Sequence, residues 1–182
     1  MMKSRALITM IFGIVFCILA PRAAMAQAMP NPYGQGISVE IARKVANAAL
    51  AEGKKNGWFV SVAIVDTAGD LVYFERMDNA MSASVVVSQE KARTAARFKR
   101  PTKAFEDAVA GGRQVILSLP GVTPVEGGIP LLIDGKIVGA VGVSGATSAQ
   151  DAQCAQVGVE TLGKQPAPPV AKPATPPPPP KK

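Results

Sequence analysis

The sequence predicts an α+β fold: a single domain in which a five-stranded antiparallel sheet is packed with helices. Three observations point there. Asp134-Gly135 sits between two apolar runs, residues 127–133 and 136–145, and Asp-Gly supplies the positive-φ positions that a two-residue hairpin turn needs. A second pair of runs, 58–65 and 71–76, is joined by Asp66-Thr-Ala-Gly-Asp70, too short for the dozen or more residues of a parallel crossover. Around these runs lie stretches of helical apolar spacing, and antiparallel strands need such helices over at least one face.

In chain order, Ser38 reads as the N-cap of a first helix. Ala42, Val45, Ala46, Ala49 and Leu50 recur at helical spacing until Asn56-Gly57 stops it. Lys54 and Lys55 complement its carbonyl end. Residues 58–65 are β-branched and aromatic with Ser61 as the polar exception, so they read as a strand covered on both faces, with 71–76 as its hairpin partner. A helix follows over 82–98, on which Ser84, Ser88 and Lys91 share one face. A shorter helix begins at Thr102 and ends at Gly111-Gly112. Residues 113–119 read as a third strand, and after the loop 120–126 come the two strands of the Asp134-Gly135 hairpin. The last helix starts near Ser148, read as its N-cap with Asp151 as a capping-box-like partner, and Gly163 ends it.

The remaining residues are appendages. Residues 1–26 have a basic start (Lys3, Arg5), an apolar stretch and Ala24-Met25-Ala26, the pattern of a cleavable secretory signal. This predicts a periplasmic or secreted protein with no transmembrane segment in its mature form. Residues 27–36 read as a flexible leader and 37–164 as the domain. Residues 165–182 read as a disordered arm, with nine prolines between Pro166 and Lys182. That arm is a spacer or a contact to cell wall or protein. The net charge of +7 is carried mostly by these appendages. The nearly neutral domain argues against a nucleic-acid partner.

Export also simplifies the cysteine chemistry, because Cys17 leaves with the signal and Cys154 alone remains. Absent histidine removes imidazole acid/base chemistry, His-based triads and imidazole metal sites. Gly139, Gly142 and Gly145 punctuate the last strand and either wall a pocket or let a helix pack close. The candidate ligand-binding set is Asp78, Ser84, Lys91, Gly142, Ser144 and Gly145. In it the hairpin's end faces Asp78 and Lys91, and the lysine holds a carboxylate as a point charge. Lys91, Arg93, Arg97, Lys99, Arg100 and Lys103 form a run of bases, read either as an anion-attracting patch or as a wet helix face. Tyr73, Met77 and Cys154 are the candidate metal ligands, alongside Met81.

The series Ser38-Val-Glu-Ile-Ala, Val65-Asp-Thr-Ala-Gly-Asp-Leu-Val, Arg76-Met-Asp-Asn-Ala, Lys91-Ala-Arg-Thr-Ala, Gly127-Gly-Ile-Pro-Leu and Gly139-Ala-Val-Gly-Val-Ser-Gly resembles the GlcG/HbpS family of haem-binding or haem-degrading proteins. The resemblance spans residues 36–163. It implies a profilin-like domain with a five-stranded antiparallel sheet, oligomeric assembly, and a pocket for haem or a related tetrapyrrole. Some haem-binding relatives use histidine on iron. Here that role would fall to Tyr, Met, Cys, Thr or another oxygen ligand.

Three functions follow as expectations. The first is an exported small-molecule-binding protein for haem or a related tetrapyrrole. The second is an enzyme, degrading haem or turning over a small hydroxy- or keto-acid, with Asp66, Asp78, Lys91 or Glu126 doing acid/base work. The third is an oligomeric assembly module displaying proline-rich arms.

Overall fold

The computed structural model describes residues 30–163. The signal, the first part of the leader and the proline-rich arm lie outside the described residues. The elements are α1 Val39–Lys55, β1 Ser61–Val65, β2 Leu71–Arg76, α2 Ser84–Phe98, α3 Lys103–Ala110, a 3₁₀ turn Gln114–Ser118, β3 Gly128–Ile133, β4 Lys136–Ser144 and α4 Ser148–Glu160. The sheet is antiparallel, in the order β2-β1-β4-β3. Helices α1 and α4 cover one face, burying Val45, Ala49, Val62, Ile64, Val141 and Val143 among others, while α2 covers the opposite face with alanines.

Local chemistry explains most boundaries. The Ser38 hydroxyl accepts from the Ile41 amide at the start of α1, and the Asn56 and Gly57 amides close its end on the Glu52, Gly53 and Lys54 carbonyls. Asp134 and Gly135 both have positive φ, 49° and 71°, as a tight hairpin turn requires. The cap of α4 differs from expectation. Thr147 is the N-cap, and its capping box is closed by Gln150. Asp151 is thereby freed to turn inward.

The sheet has four strands where five were expected. Where residues 113–119 were expected to form a strand, Gln114–Ser118 form a 3₁₀ turn in which Ile116 is buried while Val115, Leu117 and the following Leu119 are exposed. A fifth strand beside β3 would need free backbone groups along its outer edge. At Gly128 both are taken, since the Thr102 amide donates to the Gly128 carbonyl at 2.9 Å and the Gly128 amide donates to Thr102 Oγ1 at 2.9 Å. Two residues on, in the same outward phase, Pro130 has no N–H to give.

The leader, expected to be flexible, is bound where the structure describes it. β1 pairs with β4 only as far as Val65↔Ala140, and residues 32–37 take over the edge that β1 leaves. Ile137 N–H donates to the Pro32 carbonyl at 2.8 Å, Gly34 N–H to the Ile137 carbonyl at 2.8 Å, and Ile37 N–H to the Val138 carbonyl at 2.9 Å. The Tyr33 hydroxyl donates to the Ala96 carbonyl at 2.9 Å, and Lys99 lies 4.0 Å over the Tyr33 ring. This strap therefore ties the sheet to the C-terminal end of α2.

Candidate functional site

The predicted ligand set divides sharply by burial. Residues on the sheet face toward α2 are small: Ser61 lies opposite Ser144, Ala63 opposite Gly142, and Gly128 opposite Gly142. The helix consequently comes down onto the sheet backbone. A Cβ on Gly142 would lie 2.0 Å from the Ser88 carbonyl oxygen, and one on Gly128 would lie 2.3 Å from that of Lys91. Gly142 is thus a packing glycine, present because a helix occupies the space a side chain would need. Gly145, at φ 142°, would put its Cβ 2.3 Å from the Phe59 carbonyl oxygen.

Ser84, Ser88 and Lys91 do share one face, and that face is buried against the sheet. The Ser61 and Ser84 hydroxyls are 2.7 Å apart and hydrogen-bonded. Lys91, 1% exposed, donates to Asp151 Oδ2 at 2.7 Å and to the Val143 carbonyl at 3.0 Å. The other Asp151 oxygen accepts from the Ala146 amide at 3.0 Å. Burial pushes the Asp151 carboxyl above its ordinary range, against the downward pull of Lys91 and of the Ala146 amide. Gly127 closes over the pair at φ 123°, where a Cβ would sit 3.0 Å from Lys91 Nζ. The Lys91 charge is committed inside the domain, stapling α2 to β4 and the start of α4. Sequence reasoning placed Asp151 in a cap and missed this partner. The one available signal was an acidic residue near the start of the helix that directly follows β4, the strand against which Lys91 packs.

Other candidates lie apart from that interface. Asp78 is exposed in the turn after β2. Asp66 Oδ1 accepts from the Ala68 and Asp70 amides and so serves the β1–β2 turn. Glu126 is half-buried, which raises its carboxyl above the usual range. The basic run is largely structural. Lys99 stacks on Tyr33, Arg93 pairs with Glu90, Lys103 pairs with Asp107, and Arg97 Nε donates to the Ala68 carbonyl at 2.8 Å.

The candidate metal ligands are also engaged. The Tyr73 hydroxyl donates to Glu75 Oε2 at 2.6 Å, and this bond raises its pKa. Met77 packs against the core on the α1 side, and Cys154 is fully buried in that core. Burial pushes the Cys154 thiol up to about 11, so it is neutral at physiological pH. Among the described residues no group of three or more Cys, Asp or Glu side chains is placed to hold a metal ion.

A cavity of about 380 Å³ lies elsewhere, between the strap, the first turn of α1 and the β3–β4 hairpin. Ile37, Ile41, Ile133 and Val138 give it apolar walls, and Lys136 stands at its edge with Ser38 and Asp134. None of the six predicted ligand residues lines it. It was illegible in the sequence because its wall is the leader, whose Pro and Gly content reads as unstructured chain.

Residues 37–160 match the family described as haem degrading protein HbpS-like. Protein GlcG of Escherichia coli strain K12 is 44% identical over 108 residues, which is 59% of this chain and 81% of GlcG. The crystal structure of a double mutant of Streptomyces reticuli HbpS superposes with a TM-score of 0.67 at 32% identity, covering 80% of this chain and 98% of that one. A PduOC:haem complex superposes with a TM-score of 0.64 at 27% identity, covering 70% of this chain and 96% of PduOC. With the family match over residues 37–160 and the 44% identity to GlcG, the chain belongs to the HbpS-like family.

Proposed function

We propose that this protein is an exported small-molecule-binding protein whose ligand is haem or a related tetrapyrrole, working as an oligomer. The observation that carries the ligand class is the likeness to PduOC, crystallised as a haem complex, together with the haem-related description of the family. Export is inferred from the signal pattern of residues 1–26. Among the described residues no helix is long and apolar enough to cross a membrane.

The structure's own side chains fit part of such a ligand. The walls Ile37, Ile41, Ile133 and Val138 suit the apolar edge of a macrocycle, and Lys136 suits one of its carboxylates as a point charge. Of the candidate metal ligands, Tyr73, Met77 and Cys154 are all engaged and none lines the cavity, so an iron ligand there would come from an oxygen donor such as Asp134. Binding is the reading proposed here, ahead of turnover.

Titration of the purified protein with hemin, followed by the Soret band and by thermal unfolding, tests the reading. Saturation at about 100 times the dissociation constant raises stability by about 2.7 kcal/mol if the ligand binds only the native state. A spectrum identical to free hemin and an unmoved melting temperature would remove haem as the ligand. Lys136→Glu reverses the charge at the cavity's edge and is expected to weaken binding several-fold. An unchanged affinity would move the site away from this cavity.

A further inference from the structure

We infer that α3 and the chain that returns beside it, residues 103–126, form the surface by which two copies of this protein pair about a two-fold axis. The inference rests on the oligomer reading above and names the face that makes the contact.

This segment is built with its apolar side chains outward. After α3 the chain turns at Gly111-Gly112 and runs back along the helix, with Gln114 Nε2 donating to the Val109 carbonyl at 3.4 Å and the Glu126 amide donating to Glu106 Oε2 at 2.6 Å. On the return Val115 is 63% exposed and Leu117 59%, and Leu119 and Val125 are exposed as well. Successive side chains of a 3₁₀ turn point about 120° apart, so with Ile116 turned inward its two neighbours face out. Elsewhere the large exposed apolar side chains come one to an element, as Val39 on α1, Leu71 on β2 and Val86 on α2 do. Single ones are ordinary on a monomer, whereas four between residues 115 and 125 mark a contact surface.

The charges say what that surface meets. At the start of α3 Lys103 pairs with Asp107, and the neighbouring Glu106 and Glu126 carboxylates are in no ion pair among the described residues. At the far end Arg113 is exposed, and its guanidinium has no ion pair or hydrogen bond among the described residues. The eight residues of α3 set these two ends about 12 Å apart, so one chain cannot join them. A second copy turned end for end lays its Arg113 against Glu106 and Glu126 and its own acids against Arg113, with the apolar side chains between. A two-fold pair requires such a self-complementary patch, and an apolar centre inside a charged rim is the usual anatomy of an interface.

The mature protein, proline-rich arm included, is weighed by light scattering after gel filtration, with circular dichroism reporting the fold. Val115→Asp/Leu117→Asp changes two side chains that face solvent, so the spectrum is expected to hold while the particle mass falls by a factor of about two or more. Arg113→Glu and Glu126→Arg are each expected to weaken association about tenfold or more, and the two in one chain to restore it, because each exchanged charge again meets its opposite across the axis. A folded aspartate variant of unchanged mass, or a folded charge exchange that restores nothing, would overturn the inference and leave the oligomer reading standing. Should the aspartate variant lose its fold, Arg113→Glu reads the same contact from an exposed side chain, and undiminished association there would overturn the inference. A wild-type protein that stays monomeric at every concentration would bring down both.

Discussion

Replacing Lys91 by methionine keeps the length of the side chain and removes its charge. In the wild type the ammonium meets one oxygen of Asp151 at 2.7 Å and the Val143 carbonyl at 3.0 Å, with the two charged side chains 1% and 3% exposed. The variant leaves a buried carboxylate with only the Ala146 amide and an orphaned carbonyl. Removing one partner of a buried pair costs about 3–5 kcal/mol, a large share of a total of about 5–15 kcal/mol. Urea unfolding followed by circular dichroism at pH 7 measures the loss. A Lys91→Met/Asp151→Asn double variant retains an acceptor for the Ala146 amide and removes the stranded charge. It is expected to recover at least about 2 kcal/mol, since neutral replacements of buried pairs are often tolerated.

The pH dependence carries its own sign. Burial already raises the Asp151 carboxyl, and without Lys91 the principal downward pull is gone. A carboxyl raised in the folded state takes up a proton more readily folded than unfolded. Its contribution to stability is therefore fully present below the unfolded value and lost as pH rises through the folded one. The single variant should accordingly gain on the wild type as pH falls from 7 toward 4. A single-variant cost below about 1 kcal/mol, with no coupling in the cycle, would refute the reasoning and return Lys91 to the role of a ligand-facing charge.

Gly142→Ala places a Cβ 2.0 Å from the backbone oxygen of Ser88, so α2 must move off the sheet. The expected cost is at the upper end of the usual overpacking range, about 3 kcal/mol. Gly36→Ala is the control, because its Cβ meets nothing closer than 3.9 Å, and thermal unfolding should show it within about 1 kcal/mol of wild type. Equal stability of the two variants would mean that α2 does not rest on β4. Cys154 should react with a soluble disulfide reagent at pH 8 only after unfolding, given its burial and a thiol pushed up to about 11. Because that folded value is raised, the stability it contributes is held below about pH 8.5 and lost as pH climbs toward the folded value. Rapid labelling of the native protein would show that the α1–α4 core opens.

The parts of the fold legible in the sequence are those decided locally. Ser38 caps α1 with its own hydroxyl, Asp134-Gly135 makes the turn, and the connection from Asp66 to Asp70 leaves β1 and β2 no option but a hairpin. What failed was decided at a distance. Residues 113–119 have strand composition, yet a strand needs an edge to join, and Thr102 and Pro130 close the edge of β3. The leader carries turn residues, yet β4 runs past the end of β1 and offers residues 32–37 a place.

The site was harder still to see. The shared face of Ser84, Ser88 and Lys91 was legible from helical spacing. Whether that face met water or a sheet depended on Gly128 and Gly142, far along the chain, being small enough to let α2 descend. Glycine in a strand signals close approach without saying whether a ligand or a backbone approaches.

The order of strands in the sheet carries a consequence for how the chain is made. β1, near the start of the domain, pairs with β4, near its end, and among the described residues the strap too bonds to β4. A nascent chain emerging from its N-terminus can form α1 and the β1–β2 hairpin early, but it holds neither the central sheet pairing nor the acid that neutralises Lys91 until residues 136–151 have been synthesised. Long-range pairing of this kind is slow to form. A chain with this topology stays open until residues 136–151 exist, an order of events that would suit the export proposed above.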